Sequence, residues 1–413
     1  MTTSSFFAGL RHRVPHPWSL FTVLLFLIVA LVARDSIRAY EETLWATAYD
    51  KGGYYVYLPA WFIYQDLSFE FMDFNAFWFG KAEVSTAMGT VCSINRHSPG
   101  PAILLSPFFL LGHWEAGYWG VPQDGFSYTF LFWVATGCLI YVALGLLSLR
   151  AVLVRYYDDL PVAGALAILG LGTNLYFYTA YDFMMSHAYS FFLFGAALWW
   201  LVRWLEKPRW GTFLGLSVTA GLLAVTRLPN TLYFLLLAFW GVHNRGTLVE
   251  RLRLFWQHKA QLAVGLVGFL LCFAPTIHYW YSQTGYIWLN SYAGFDQLFY
   301  WTKPMIAEVL IGYRTGWFIY SPLLLLGVAG FVSLYRQRSR YFPILLLYLS
   351  LHIYVASCWF WWWYAGSFGM RPFVDCSAVM AFPIAALFQG MRRGSIGSYV
   401  MTVVVALGIG LNF

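Results

Sequence analysis

The sequence predicts an all-α polytopic membrane protein with about eleven transmembrane helices, and three observations carry that prediction. First, 60% of the 413 residues are hydrophobic and only 10% are charged, against about 45–50% and about 25% in an ordinary soluble domain. So little charge does not cover a water-facing surface, and so apolar a chain does not stay disordered. Second, apolar stretches near the bilayer-crossing length of about 20 residues recur along the chain. Third, once those stretches are laid out, the cations follow the positive-inside rule. Aromatic residues reach 21%, more than the spans need, and point to interfacial belts or a cavity lined with rings.

The elements follow in order. Residues 1–16 form a cytoplasmic N-terminus with Arg11, His12 and Arg13, and 17–33 is the first span. No convincing A-x-A cleavage site follows, so this span reads as an uncleaved helix rather than a signal peptide. Residues 34–126 make one long outer loop. Loops beyond about 12–15 residues in a compact fold are functional or disordered, and the Trp, Phe and Tyr content here argues against disorder. Its segments are expected to be interfacial helices: Tyr54–Asp66 is amphipathic, and the apolar piece Pro101–His113 is too short to span. The remaining spans fall near 127–148, 161–180, 187–204, 210–226, 228–243, 262–281, 317–335, 341–358, 372–390 and 398–413, within a bundle covering 127–413. No internal repeat or low-complexity segment is evident.

With the N-terminus inside, sixteen of the 25 cations fall in cytoplasmic segments, with only four acids: Asp158, Asp159, Glu206 and Glu250. The net charge of +7 is therefore a topology signal, and nucleic acid drops out as a partner. The five cysteines (Cys92, Cys138, Cys272, Cys358, Cys376) show no CxxC or Cys/His spacing, which argues against disulfide frameworks and zinc sites.

Polar residues at membrane depth or on its outer rim are costly and mark functional candidates. Nine cations lie outside the cytoplasmic set: Arg34, Arg38, Lys51, Lys81, Arg96, Arg227, Lys303, Arg314 and Arg371. Arg227 ends the fifth span in AVTRLPN, Arg371 opens the tenth in WWWYAGSFGMRPF, and Arg314 follows a short outer helix in IGYRTGWF. The alternative to ligand binding is snorkelling, or pairing with an acid such as Asp375. Asp50, in ATAYDKGGYYVYLP, is the leading carboxylate, with a turn or N-cap aspartate as its alternative. Glu41 and Glu42 form a second acidic pair, while Asp66 and Asp73 read as solvated or capping. His187, in FMMSHAYSFF, reads as a cavity residue or a hydrogen-bonded interfacial histidine. Arg96 and His97, in INRHSPGP, stand within reach of a phosphate. Tyr54, Tyr55, Trp363 and Glu42 are expected to line the same cavity.

One carboxylate, several outer cations and a hydrophobic cavity suit a substrate with an anionic head and an apolar tail. In glycosyl transfer from a lipid phosphate, the acceptor hydroxyl loses its proton as it attacks the anomeric carbon, and a single carboxylate serves as general base. Phosphate is already a good leaving group and needs cations rather than a second acid. Glycoside hydrolysis would ask for a spaced carboxylate pair.

These features and their order resemble the GT-C glycosyltransferases, among them protein O-mannosyltransferases and the aminoarabinose transferases of lipid A, which take sugars from polyprenyl phosphates. The matches are Asp50 with GGYYVYLPA, then NRHSPGPAILLSPFFLLGH, GTNLYFYTAYDFMMSHAYSFF, TRLPN, GYRTGWFIYSPLLLLGVAG and WYAGSFGMRPF, spread over residues 18–390. The resemblance implies a GT-C-like enzyme in a bacterial inner membrane, with its active site on the periplasmic side. It implies Asp50 as the aspartate that binds and deprotonates the acceptor, and Arg371 and Arg227 at the donor phosphate; the residues themselves add Arg314, Arg96 and Lys51 as candidate phosphate ligands. Many relatives carry a second acid in DD, DE or DxD patterns, whereas Lys51 follows Asp50 here. A lone carboxylate beside an ammonium is a poor divalent site, so no metal is expected; a catalytically altered member is the other reading. Two other functions compete. A transporter or flippase for lipid or lipid-linked sugar commonly shows repeats and broken helices near the bilayer midplane, and no repeat is found. A non-catalytic subunit that orients a partner enzyme is the third.

Overall fold

Apolar runs form the helices, and several of these end beside Gly, Asn or Pro, although Gly195 and Pro383 lie inside long ones. The computed structural model describes residues 17–38, 41, 47–72, 81–292, 298–392 and 394–412; Arg11, Arg13, Glu42, Asp73 and Arg393 lie outside them. The chain is mostly helical. Helix α1 (Pro17–Ile37) leads to a segment with α2 (Tyr49–Tyr55), a helical continuation at Tyr57–Pro59, a π-helical turn at Ala60–Tyr64, strands β1 (Lys81–Ser85) and β2 (Val91–Asn95), and α3 (Gly100–Trp119). Then follow α4 (Tyr128–Leu153), α5 (Asp159–Leu171), α6 (Leu175–Ala180), α7 (Ser186–Glu206), α8 (Trp210–Thr226) and α9 (Tyr233–Phe239). The second half holds α10 (Arg245–Gln257), α11 (Lys259–Leu271), α12 (Ala274–Thr284), α13 (Ile306–Ile311), α14 (Trp317–Tyr320), α15 (Leu325–Arg336), α16 (Phe342–Cys358), α17 (Pro372–Gln389) and α18 (Ile396–Gly410).

Among the described residues, four helices are long and apolar enough to cross a membrane, namely α1, α4, α7 and α17. A fifth results if α11 and α12, bent by 45°, count as one span. The other six expected positions hold apolar helices of 10–17 residues. Length is lost at identifiable breakers. Gly172 and Asn174 separate α5 from α6, Pro229 follows α8, Pro275 follows the bend after α11, and Pro322 precedes α15.

Two expectations for residues 34–126 are corrected. The segment is not purely helical, because β1 and β2 pair antiparallel from Lys81↔Asn95 to Ser85↔Val91. The alternation in KAEVS and VCSIN buries Val84 and Ile94, and the connecting turn uses Gly89 at φ +80°. The apolar piece at 101–113 is the front of a 20-residue helix, α3, which runs on until Gly120 adopts φ +66°.

The core is built around α7 and α17, the two most enclosed of the long helices, whereas α1 is largely exposed. Helix α7 packs on α4, α8 and α17, and α17 packs on α5, α7 and α15. Small residues permit the closest of these approaches. A Cβ on Gly195 of α7 would lie 2.7 Å from the Gly145 carbonyl oxygen of α4. The starts of α7 and α17 and the end of α8 thereby converge.

Candidate functional site

Asp50 lies in the first turn of α2, behind Tyr49 at φ +53°. Its Oδ2 accepts from Arg371 Nη2 at 2.5 Å, and its Oδ1 is 3.8 Å from His97 Nε2. Arg371 immediately precedes α17. In the loop before it, Tyr364 and Ala365 take φ +54° and +55°, and Gly369, at φ +62°, sits where a Cβ would be 2.7 Å from the Tyr320 Cβ. Left-handed non-glycine residues cost about 1–3 kcal/mol each, so strain gathers beside both partners. Tyr178 pins this loop, its hydroxyl accepting from the Phe368 amide at 3.1 Å.

A second cluster adjoins the first through α17. Arg227, extended after α8, places Nη1 3.3 Å from Asp375 Oδ2 and 2.9 Å from His187 Nε2. His187 Nδ1 is 2.8 Å from Asp375 Oδ1. Arg227 Nη1 lies within hydrogen-bond distance of Nδ1 as well as Nε2 of this imidazole, and because a guanidinium only donates, whichever ring nitrogen it meets accepts. His187 and Asp375 are each 2% exposed and Arg227 is 15% exposed. Asp375 follows Arg371 by one helical turn, so one end of α17 serves both clusters.

The segment from Asn95 to Gly100 joins α2 to the end of α8. The Asn95 side chain donates from Nδ2 to the Gly53 carbonyl at 2.7 Å, and its Oδ1 accepts from His97 N at 3.0 Å. The Tyr57 hydroxyl donates to the His97 carbonyl at 2.8 Å. Ser98 Oγ donates to the Val225 carbonyl, and a Cβ on Gly100 would meet Thr226 Cα at 2.5 Å. The His97 ring also meets Tyr54 edge-on, with centroids 4.8 Å apart.

Burial alone would raise the Asp50 carboxyl, but Arg371, His97 and Arg227 outweigh it and hold the group below its usual range. Burial pushes the His97 imidazole down, aided by the Arg371 and Arg96 charges and opposed by Asp50. Asp50 is thus an ionised, acceptor-only group beside a guanidinium. The Arg371 Nε, Thr226 Oγ1 and Asn230 Oδ1 atoms are buried and, among the described residues, find no hydrogen-bond partner. Among the described residues, no three His, Cys, Asp or Glu side chains are grouped to hold a metal ion.

Of the residues singled out by sequence, Asp50, Arg371, Arg227, His187, His97 and Tyr54 come together. Lys51 is buried against Asp182, with Nζ 3.0 Å from Oδ1. Arg96 is half-buried, and its charge acts on His97. Arg314 is exposed and stacks its guanidinium 4.5 Å over Trp363. Tyr55 faces the core rather than a cavity: it packs on Phe109 and Phe126, and its hydroxyl donates to the Gly125 carbonyl. Adjacent helical residues point to different faces, which separates Tyr55 from Tyr54. Glu42 lies outside the described residues.

Sequence reasoning did not single out Asp182, although an acid inside TAYDFMMSHAYSFF is itself a signal. Nor did it single out Asn230, buried with Nδ2 2.9 Å from Ser190 Oγ. Compared with known proteins, the chain matches no family model, no curated protein and no solved structure.

Proposed function

We propose that the chain is an inverting glycosyltransferase of GT-C type, moving a sugar from a polyprenyl-phosphate donor to an acceptor on the extracytoplasmic side of a bacterial inner membrane. The observation that carries the reading is the contact of Asp50 Oδ2 with Arg371 Nη2 at 2.5 Å, with Arg227 acting on the same carboxylate. A donor phosphate competes with Asp50 for the guanidinium groups. As it binds, it frees a carboxylate held in its basic, ionised form. The acceptor hydroxyl then gives its proton to Asp50, and its oxygen bonds the anomeric carbon from the face opposite the phosphate. The anomeric C–O bond breaks, and its electron pair leaves on the phosphate, whose charge Arg371 and Arg227 stabilise.

Lys51 and its partner Asp182 hold α2 in place in this scheme, and Arg96 adds positive charge behind His97. Because guanidinium groups supply the neutralising charge, the reading calls for no divalent metal. All eleven apolar positions cross the bilayer in this arrangement, the broken ones as bent or kinked spans, and membrane lipids are the surrounding partners. The acceptor is a hydroxyl-bearing glycan, lipid or protein.

The test uses the full chain in lipid nanodiscs with a panel of polyprenyl-phosphate sugars, scored for release or transfer of sugar. Asp50→Asn is expected to lower transfer by about 10²–10⁴-fold, the range for loss of a general base, with helix content unchanged. Full activity in that variant would overturn the assignment of the base. No transfer or release from any donor by the unaltered chain would overturn the reading.

A further inference from the structure

The clearest use of the buried groups beside the site concerns Arg227. We infer that Asp375 and His187 are positioning residues that fix the Arg227 guanidinium for a phosphate ligand; this rests on the reading of Arg227 as a donor-phosphate contact. An unpaired arginine side chain carries about 2 kcal/mol of rotamer entropy, and a ligand that must order it binds more weakly. Here the ordering is already done. Among the described residues, every polar contact of Arg227 runs through Nη1, to His187 and to Asp375. Its Nε and Nη2 make none, and neither is among the buried unpartnered atoms. One side of the guanidinium is therefore gripped and the Nε/Nη2 edge remains reachable, the edge that pairs two parallel N–H groups with a phosphate.

The grip itself is rigid. Asp375 and His187 sit in the first turns of α17 and α7, the most enclosed of the long helices. Each Asp375 oxygen has one assigned partner, Oδ1 the imidazole and Oδ2 the guanidinium. A contact that served only to join α7, α8 and α17 would gain nothing from leaving the Nε/Nη2 edge open. It would be made at least as well by apolar side chains, because a buried ion pair seldom adds net stability.

The test is a mutant cycle on binding of a polyprenyl phosphate without sugar to the full chain in nanodiscs. The variants are Arg227→Gln, Asp375→Asn and His187→Gln, and the two doubles with Arg227→Gln. The unaltered chain is expected to bind saturably, and Arg227→Gln to weaken binding tenfold or more. Asp375→Asn and His187→Gln should weaken it at least fivefold, and neither should weaken it further once Arg227 is replaced. Losses that add in the doubles, or single variants that lose thermal stability while the folded fraction binds normally, would overturn the inference. Should Asp375→Asn not fold, His187→Gln and Asp375→Glu carry the same comparison. Binding that ignores Arg227, or no binding by the unaltered chain, overturns both the phosphate contact and the inference. Coupled binding without transfer from any sugar donor supports the inference and overturns the glycosyltransferase reading.

Discussion

The two ends of α7 use charge in opposite ways. The helix holds His187 at its start and Glu206 at its finish, about 30 Å apart at about 1.5 Å per residue. At the Glu206 end, polar groups tie helices together and leave little over. Asp159 accepts from the backbone of Trp18 at 2.8 Å and from Ser19 at 3.2 Å, closing the start of α1. Arg155 pairs with Glu206 at 2.6 Å, both about a quarter exposed, and Gln389 pairs with Asp158 at 2.8 Å. At the His187 end, the pairs join residues as far apart as Asp50 and Arg371, the backbone is left-handed at Tyr49, Tyr364 and Ala365, and a guanidinium nitrogen of Arg371 is buried without a partner among the described residues. The first end is arranged to hold helices. The second stores strain and unspent hydrogen bonds, which stability alone does not select.

Substitutions at the two ends sharpen or break that contrast. The largest effect is expected for Arg371→Gln, which leaves the half-buried Asp50 without its main counter-charge. In the unaltered chain Asp50 lies below its ordinary value of 3.8, so its contribution to stability is complete above that value and is lost as pH falls through the lower, folded one. In the variant burial takes over and the carboxyl rises. The acid limb of the pH–rate profile should then move to higher pH, with transfer down about 10²–10³-fold at its optimum, as for loss of one charge-stabilising donor. An unshifted limb would break the link between Arg371 and the base. An intermediate effect is expected for Gly53→Ala, whose Cβ would fall 2.1 Å from His97 Cδ2. The His97 backbone is held on both sides, so the overpacking should cost about 1–3 kcal/mol, read as a lowered Tm. The smallest is Arg155→Ala at the opposite end: about 0–1 kcal/mol of stability and no change in transfer per folded molecule. A large loss of transfer there would erase the distinction between the ends.

Scarcity of charge made the individual site residues legible, because an Arg or Asp in so apolar a chain has few alternatives. Their pairing was not legible. Asp375 stands four residues after Arg371, which suggests a local pair, yet Arg371 reaches α2 and Asp375 is taken by Arg227 and His187. That exchange depends on where α2 and α8 end in space, which no local pattern encodes. Helix positions were legible from composition, but continuity was not, since a single Pro229 or Pro275 interrupts a span without changing its average hydropathy. The hairpin was missed because five-residue alternation in KAEVS and VCSIN is faint beside the aromatic runs around it.

That hairpin has a consequence for how Asp50 meets His97. Its turn is fastened to α12 by the Ala87 amide donating to the Thr284 carbonyl at 2.8 Å, and its far end by the Asn95 amide donating to the Tyr279 hydroxyl at 2.7 Å. Two residues beyond that second fastening comes His97. The five residues of β2 run between these two fastenings, so the strand holds His97 at a fixed offset from α12. Adding or deleting a residue in β2 would turn its side chains to the opposite face and carry the imidazole off the carboxylate, while leaving the Asp50–Arg371 and Arg227–Asp375 pairs in place.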